Sequence, residues 1–154
     1  MSRTGGQSHW DARRRAREAA LQMLYQADIG QLTIADAVRI HDVMGADAVV
    51  LADDAREYAE QLARGTWHAR TTLDGYIAEA TRNWRVERLA VIDRLVLRLA
   101  VHEMLDHPAT PPRVVIDEAI ELTREYSGEE AAKFVNGVLD GVFKRLKSEG
   151  KVVD

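Results

Sequence analysis

The sequence has no cysteine, which removes disulfide frameworks, thiolate metal sites and thiol nucleophiles together and fits a reducing compartment. Its three prolines all fall in one stretch, "HPATPPR" at 107–113, so elsewhere nothing forbids a long helix. No apolar run approaches the roughly 18 to 20 residues of a membrane span, and the first twenty residues lack the apolar core of a signal peptide. A soluble, cytoplasmic chain with no membrane partner is therefore expected. Nor does any stretch alternate apolar and polar residues for long enough to suggest a strand, so the fold class expected is all-α.

Catalytic signatures are missing too. There is no G-x-G-x-x-G, no G-x-x-x-x-G-K-[ST] and no G-x-S-x-G, which leaves nucleotide cradles and the hydrolase elbow unsupported. The histidines at 9, 41, 68, 102 and 107 form no H-E-x-x-H pair or other convincing metal spacing. His102 follows Arg94 and Arg98 along one helical stripe and reads as a hydrogen-bonded structural histidine. Asp53 and Asp54 read as helix-start charges, favourable with the dipole. No catalytic residue, cofactor or metal is expected, and the chain does not read as an enzyme.

Charge is what the sequence does have, and it is uneven. Residues 1–17 hold five arginines and one aspartate, a net +4, while the remainder carries 16 basic and 24 acidic side chains, a net −8. Clustered cations set the local potential, so an anion-binding end on an acidic body is indicated. The cluster sits in "ARRRAREAALQMLY" at 12–25, where Arg13, Arg14, Arg15 and Arg17 enter the first turns of a helix against the dipole. A solvated basic helix end is the plainer alternative.

Helical periodicity runs nearly throughout. Residues 1–10, rich in Gly and Ser, read as a mobile arm, and a single helical domain over 11–148 follows, with a short tail at 149–154 expected to fray. The first helix should run from about Asp11 to Ile29 and stop at Gly30. Thr33 and Asp36 resemble a capping box for a second, reaching about Met44 before Gly45. A long third helix is expected over Asp53–Ala80, weakened by Gly65 and Gly75. "LAVIDRLVLRLAVHEML" at 89–105 is apolar on most sides and marks the central helix. After the prolines, Pro111 or Pro112 can start a helix that continues to about Tyr126. Ser127 and Glu130 make an S-x-x-E box for the last helix.

Two stretches ask for more than packing. On the first helix, Ala16, Ala19, Ala20, Met23, Leu24 and Ala27 share the arc that must be buried, while Arg14, Glu18, Leu21 and Tyr25 form an opposite stripe. Leu21 and Tyr25, one turn apart beside charges, look like a partner surface for another protein or a second copy of the chain; cover by a helix of the same chain is the alternative. In "KFVNGVLDGV" at 133–142, Phe134, Val135, Val138, Leu139 and Val142 supply a core face. Gly137 and Gly141 each cost around 1 kcal/mol relative to Ala in a helix interior, so something approaches the backbone there: a neighbouring helix or a nucleic-acid strand. Lys133 and Asn136 beside them can bond phosphate or a base edge.

"RRRAREAALQMLYQ", "IDEAIELTREYS" and "KFVNGVLDGV", in that order and spacing, resemble the bacterial transcription antitermination family NusB over nearly the whole chain. The resemblance implies about seven helices in two packed bundles, a boxA-type single-stranded RNA ligand from ribosomal RNA transcripts, and a small-subunit ribosomal protein partner, NusE. It implies assembly with other Nus factors on RNA polymerase. Carried over by motif, RNA contacts fall on Arg13, Arg14, Arg17, Lys133, Phe134 and Asn136, to which the glycine reading above adds Gly137, and partner contacts on Tyr25 with Leu21, Glu87 and Asp93. Glu130 stands where relatives can carry an aspartate, and its contact is open; His9 and Trp10 match no motif. Two other readings remain: a helix-turn-helix DNA regulator, and a stand-alone homologue of the N-terminal domain of ribosomal RNA cytosine methyltransferases.

Overall fold

The computed structural model describes residues 5–43, 51–82 and 84–153, with backbone alone for 5–10. Among the described residues there are seven α-helices and one 3-10 turn and no strand, as the periodicity requires. The chain divides after Trp67 into two compact units. No described helix is long and apolar enough to cross a membrane.

The first unit holds α1 (Gly5–Ile29), α2 (Ile34–Val43) and α3 (Asp53–His68). Helix α1 begins at Gly5, ahead of the Asp11 start expected, so residues 5–10 belong to its first turns. The side chains of His9 and Trp10, and the expected end of the second helix at Met44 and Gly45, lie outside the described residues. Ala16, Ala19, Ala20, Met23, Leu24 and Ala27 are all buried, as the helical wheel predicts. The left-handed residue that ends α1 is Gln31 rather than Gly30, and the Leu32 amide donates back to the Ala27 carbonyl at 3.2 Å. Thr33 caps α2 as expected: its Oγ1 accepts from the Asp36 amide at 3.0 Å.

The long helix expected over Asp53–Ala80 is two. Helix α3 stops at His68 and α4 (Arg70–Thr81) opens the second unit. The break falls at Ala69, with φ −94° and ψ 9°, while Gly65 and Gly75 lie inside helices. Propensity located the weak points wrongly because a single Gly costs only about 1 kcal/mol, which tertiary packing readily overrides.

The second unit continues with the 3-10 turn Val86–Arg88, α5 (Val91–Asp106), α6 (Pro112–Ser127) and α7 (Glu129–Ser148). Helix α5 packs against α4, α6 and α7 and is buried on most sides, from Leu95 to Met104. It is the central helix its composition predicts. Arg98 on its polar stripe grips Asp74 of α4 with two parallel bonds, Nε to Oδ1 at 2.7 Å and Nη2 to Oδ2 at 2.8 Å. His102 is 4% exposed, pairs with Asp106 at 3.3 Å and meets the His107 ring edge-on at 5.4 Å. Burial holds its pKa below the ordinary value, with the Asp106 charge opposing.

Two expectations at the C-terminal end change. The Ser127 capping box does not form. Ser127 is the last residue of α6, and Gly128 alone joins α6 to α7, with φ 93° and no side-chain cap. Arg124 spans that corner, its Nε donating to Glu129 at 2.6 Å while a second nitrogen meets Glu121. The tail is not frayed: Gly150 turns left-handed, the Lys151 amide donates to the Leu146 carbonyl at 2.9 Å, Lys151 Nζ donates to Tyr76 Oη at 2.6 Å, and Val152 is buried.

Candidate nucleic-acid interface

On α1 the arginine run spreads over different environments. Because the helix starts at Gly5, Arg13 stands more than two turns inside it, past the first turn where the dipole is felt. The electrostatic objection to the cluster therefore lapses. Arg14 and Arg15 are exposed and Arg13 is half-buried, its guanidinium carbon 3.5 Å from the centroid of the Tyr58 ring. Its Nη1 is buried with no hydrogen-bond partner among the described residues. Arg17, expected outside the buried arc, is only 4% exposed and is engaged by other groups of the chain. It is not part of an open surface. Arg15, absent from the motif carry-over, is exposed beside Arg14, and its place in the same run was the signal.

Leu21 requires the same correction. At 1% exposure it is core, so the expected Leu21 and Tyr25 stripe is not an open face. Helix α1 buries Arg17 and Leu21 as well as its alanine and methionine arc, as a helix covered on several sides does. Tyr25 remains 40% exposed, and the apolar residue beside it on the open side is Ile29, one turn on and 51% exposed.

In the second unit, Lys133, Asn136 and Gly137 are exposed on α7 and Phe134 is half-buried. Val135, Val138, Leu139 and Val142 make the core face, leaving Phe134 at its edge. The structure separates the two glycines. A Cβ on Gly141 would meet Ala80 Cβ of α4 at 3.5 Å, so a helix is its neighbour. A Cβ on Gly137 would meet no described atom within 4 Å. The α7 backbone is thus bare at Gly137, next in sequence to the exposed Asn136 carboxamide and one turn from the exposed Lys133 ammonium. Glu129 and Glu130 occupy the first turn of α7, where acids suit the dipole; Glu130 is exposed.

Of the remaining carried-over residues, Glu87 is exposed in the 3-10 turn. Asp93 lies in the first turn of α5 and is 9% exposed, with Oδ1 buried and unpartnered among the described residues. Burial raises its pKa. Such a carboxylate is stabilised by any donor brought to it. No group of three or more His, Asp or Glu among the described residues could hold a metal ion.

A family model described as the NusB family matches residues 14–144. The transcription antitermination protein NusB of Symbiobacterium thermophilum is 38% identical over 140 residues, covering 88% of this chain and 92% of that protein. Among solved structures, T. maritima NusB superposes with a TM-score of 0.76 at 33% identity, covering 86% of this chain and 90% of that one. A structure of antitermination factors NusB and NusE in complex with double-stranded RNA superposes with a TM-score of 0.76 at 27% identity, covering 88% and 98%. With the family model matching residues 14–144 and a relative 38% identical aligned over 88% of this chain and 92% of that protein, the chain belongs to the NusB family.

Proposed function

We propose that this chain is a non-catalytic RNA-binding adaptor of transcription antitermination, acting in the cytoplasm. It joins a boxA-type single-stranded segment of ribosomal RNA transcripts to the ribosomal protein NusE and, with other Nus factors, favours assembly on RNA polymerase. The observation that carries this reading is Gly137: an exposed glycine inside a helix, with open space before it and exposed Lys133 and Asn136 beside it. Gly141 faces α4, and Gly75 is as bare as Gly137 inside α4; what sets Gly137 apart is that exposed Lys133 and Asn136, which can bond phosphate or a base edge, stand beside its open backbone.

Arg13, Arg14 and Arg15 on α1 supply salt-sensitive attraction to phosphates, while Lys133, Phe134, Asn136 and the Gly137 backbone supply fit. Arg17 and Leu21 support α1 from within. Tyr25, Glu87 and Asp93 are assigned to NusE, with Ile29 added beside Tyr25; the buried Asp93 carboxylate takes a cationic or N–H donor from the partner. The test is binding of a boxA-like RNA with and without purified NusE, against duplex DNA of the same sequence. Preference for single-stranded RNA, tightened by NusE, is the expected result; preference for duplex DNA would return the helix-turn-helix reading.

A further inference from the structure

Within the second unit one exposed segment is used by none of these assignments except through Glu87. Trp84 is 59% exposed, the largest exposed apolar side chain of the described residues. Arg82, Arg85 and Arg88 around it are all exposed. None of the three forms an ion pair with a described residue, although Arg39, Arg98, Arg124 and Arg145 each do. In a chain of net charge −4, three unclaimed guanidiniums within seven residues are conspicuous.

The segment is held, not loose. Val86 and Leu89 are buried on either side of the turn, Thr81 Oγ1 donates to the Trp84 carbonyl at 3.2 Å, and Arg82 takes a left-handed φ of 47° to end α4. This backbone presents the indole outward at little further entropic cost.

Its place in the fold follows from contacts between α4 and α7. Lys151 meets Tyr76, Arg145 meets Glu79 and Gly141 faces Ala80: as numbers fall along α7 they rise along α4. The two helices are antiparallel, so α4 ends toward the N-terminal half of α7. One turn before Gly141 comes Gly137, where nothing covers the helix and α4 has run out at Thr81. Arg82, at the end of α4, and Trp84 and Arg85 beyond it therefore lie toward the end of the unit that carries Lys133, Asn136 and Gly137.

We propose that Trp84 is a stacking platform for one base of single-stranded RNA, with Arg82, Arg85 and Arg88 holding flanking phosphates, continuing the track laid by Lys133, Asn136 and Gly137. This rests on the RNA reading above. An indole face accepts any base, and arginines beside an aromatic are the pattern of single-strand grooves. A protein anchored by Trp84 would need acids to satisfy the arginines; RNA supplies both the ring and the charge.

The experiment titrates a labelled 12-nucleotide boxA-like RNA, and the same strand made abasic, into wild type, Trp84→Ala, Trp84→Phe and a triple Arg82→Ala, Arg85→Ala, Arg88→Ala variant. NusE binding without RNA and a thermal melt accompany each. Trp84→Ala should weaken RNA binding roughly 5- to 100-fold, the cost of one lost stack, with Trp84→Phe recovering most of it. The difference should vanish on the abasic strand. The triple variant should flatten the slope of log K against log salt by about 2, and NusE binding should be unchanged. RNA affinity within twofold of wild type for both Trp84→Ala and the triple variant overturns the proposal, and if those variants lose NusE instead, Trp84 is a protein anchor. If Trp84→Ala melts early, Trp84→Phe and the salt slope of the triple variant decide. A wild type that binds no RNA fails the adaptor reading itself, visible before any variant is compared.

Discussion

Arg14 and Arg17 lie three positions apart on α1 and answer to different surroundings, one in solvent and the other 4% exposed. Arg14→Ala, with Arg15→Ala, should leave the melting temperature nearly unchanged and weaken binding to every RNA. Losing two phosphate contacts should flatten the salt slope by about 1.4. Arg17→Ala should instead destabilise the fold by about 2 kcal/mol or more, because a long buried side chain loses its packing. Gly137→Ala tests the bare α7 backbone in the opposite sense. With open space for the methyl, it should stabilise the protein by about 0.5–1 kcal/mol while weakening RNA binding, read by a denaturant melt and an RNA titration on one sample. The arginine run and the glycine pair were both legible in the sequence. Which arginine turns inward, and which glycine faces a helix, depends on what packs there, and local spacing does not carry that.

Between residues and the whole, the α6 to α7 corner shows how one backbone angle replaces a cap. Gly128 joins two helices alone at φ 93° and ψ −179°, a region closed to side chains. Gly128→Ala should cost about 1–3 kcal/mol although nothing lies within 4 Å of the added methyl, whereas Ser127→Ala should be nearly neutral. Urea melts of the two variants distinguish this corner from the capping box that the S-x-x-E spacing suggests. Helix α5 carries a pH dependence of predictable sign. Burial lowers the His102 pKa below 6.5, and that of His41 on α2 likewise. The unfolded chain therefore takes up protons first as pH falls, so stability is full above about pH 7 and is lost on acidification through 6.5 toward the lower folded values. Asp106 and Glu103 oppose the shift at His102 and His107 adds to it. The wild-type melting temperature should fall between pH 7.5 and 5.5, and His102→Gln should flatten the fall. Asp93, whose pKa is raised by burial, has the opposite sign.

For the molecule as a whole, the proposed function predicts coupling between two ligands, RNA and NusE. Tyr25 is an exposed aromatic of α1, and exposed aromatics are frequent anchors of interfaces. Tyr25→Ser should leave the fold and the intrinsic RNA affinity nearly intact. It should reduce NusE affinity, and with it the NusE enhancement of RNA binding, because coupling between two ligands is reciprocal. Titrating labelled RNA into wild type and variant with and without saturating NusE checks this, and equal enhancement in both would remove Tyr25 from the partner surface. The net +4 of residues 1–17 against −8 elsewhere adds that RNA binding should weaken steeply with salt while folding does not.

By itself the sequence determined the helical class, the buried arc of α1, the central position of α5, the Thr33 cap and the motifs that mark the family. Each is written in spacing along one helix or in the residue at its end, and such signals are complete within a few turns. Only the tertiary structure decided the break at Ala69, the one-residue corner at Gly128, the docking of Lys151 and Val152 against the second unit, the inward turn of Arg17 and Leu21, and the exposure of Trp84. The physical reason is the same for each. A side chain's surroundings are set by elements distant in sequence, and the energies involved, about 1 kcal/mol for a glycine or a cap, are small beside the burial that overrides them.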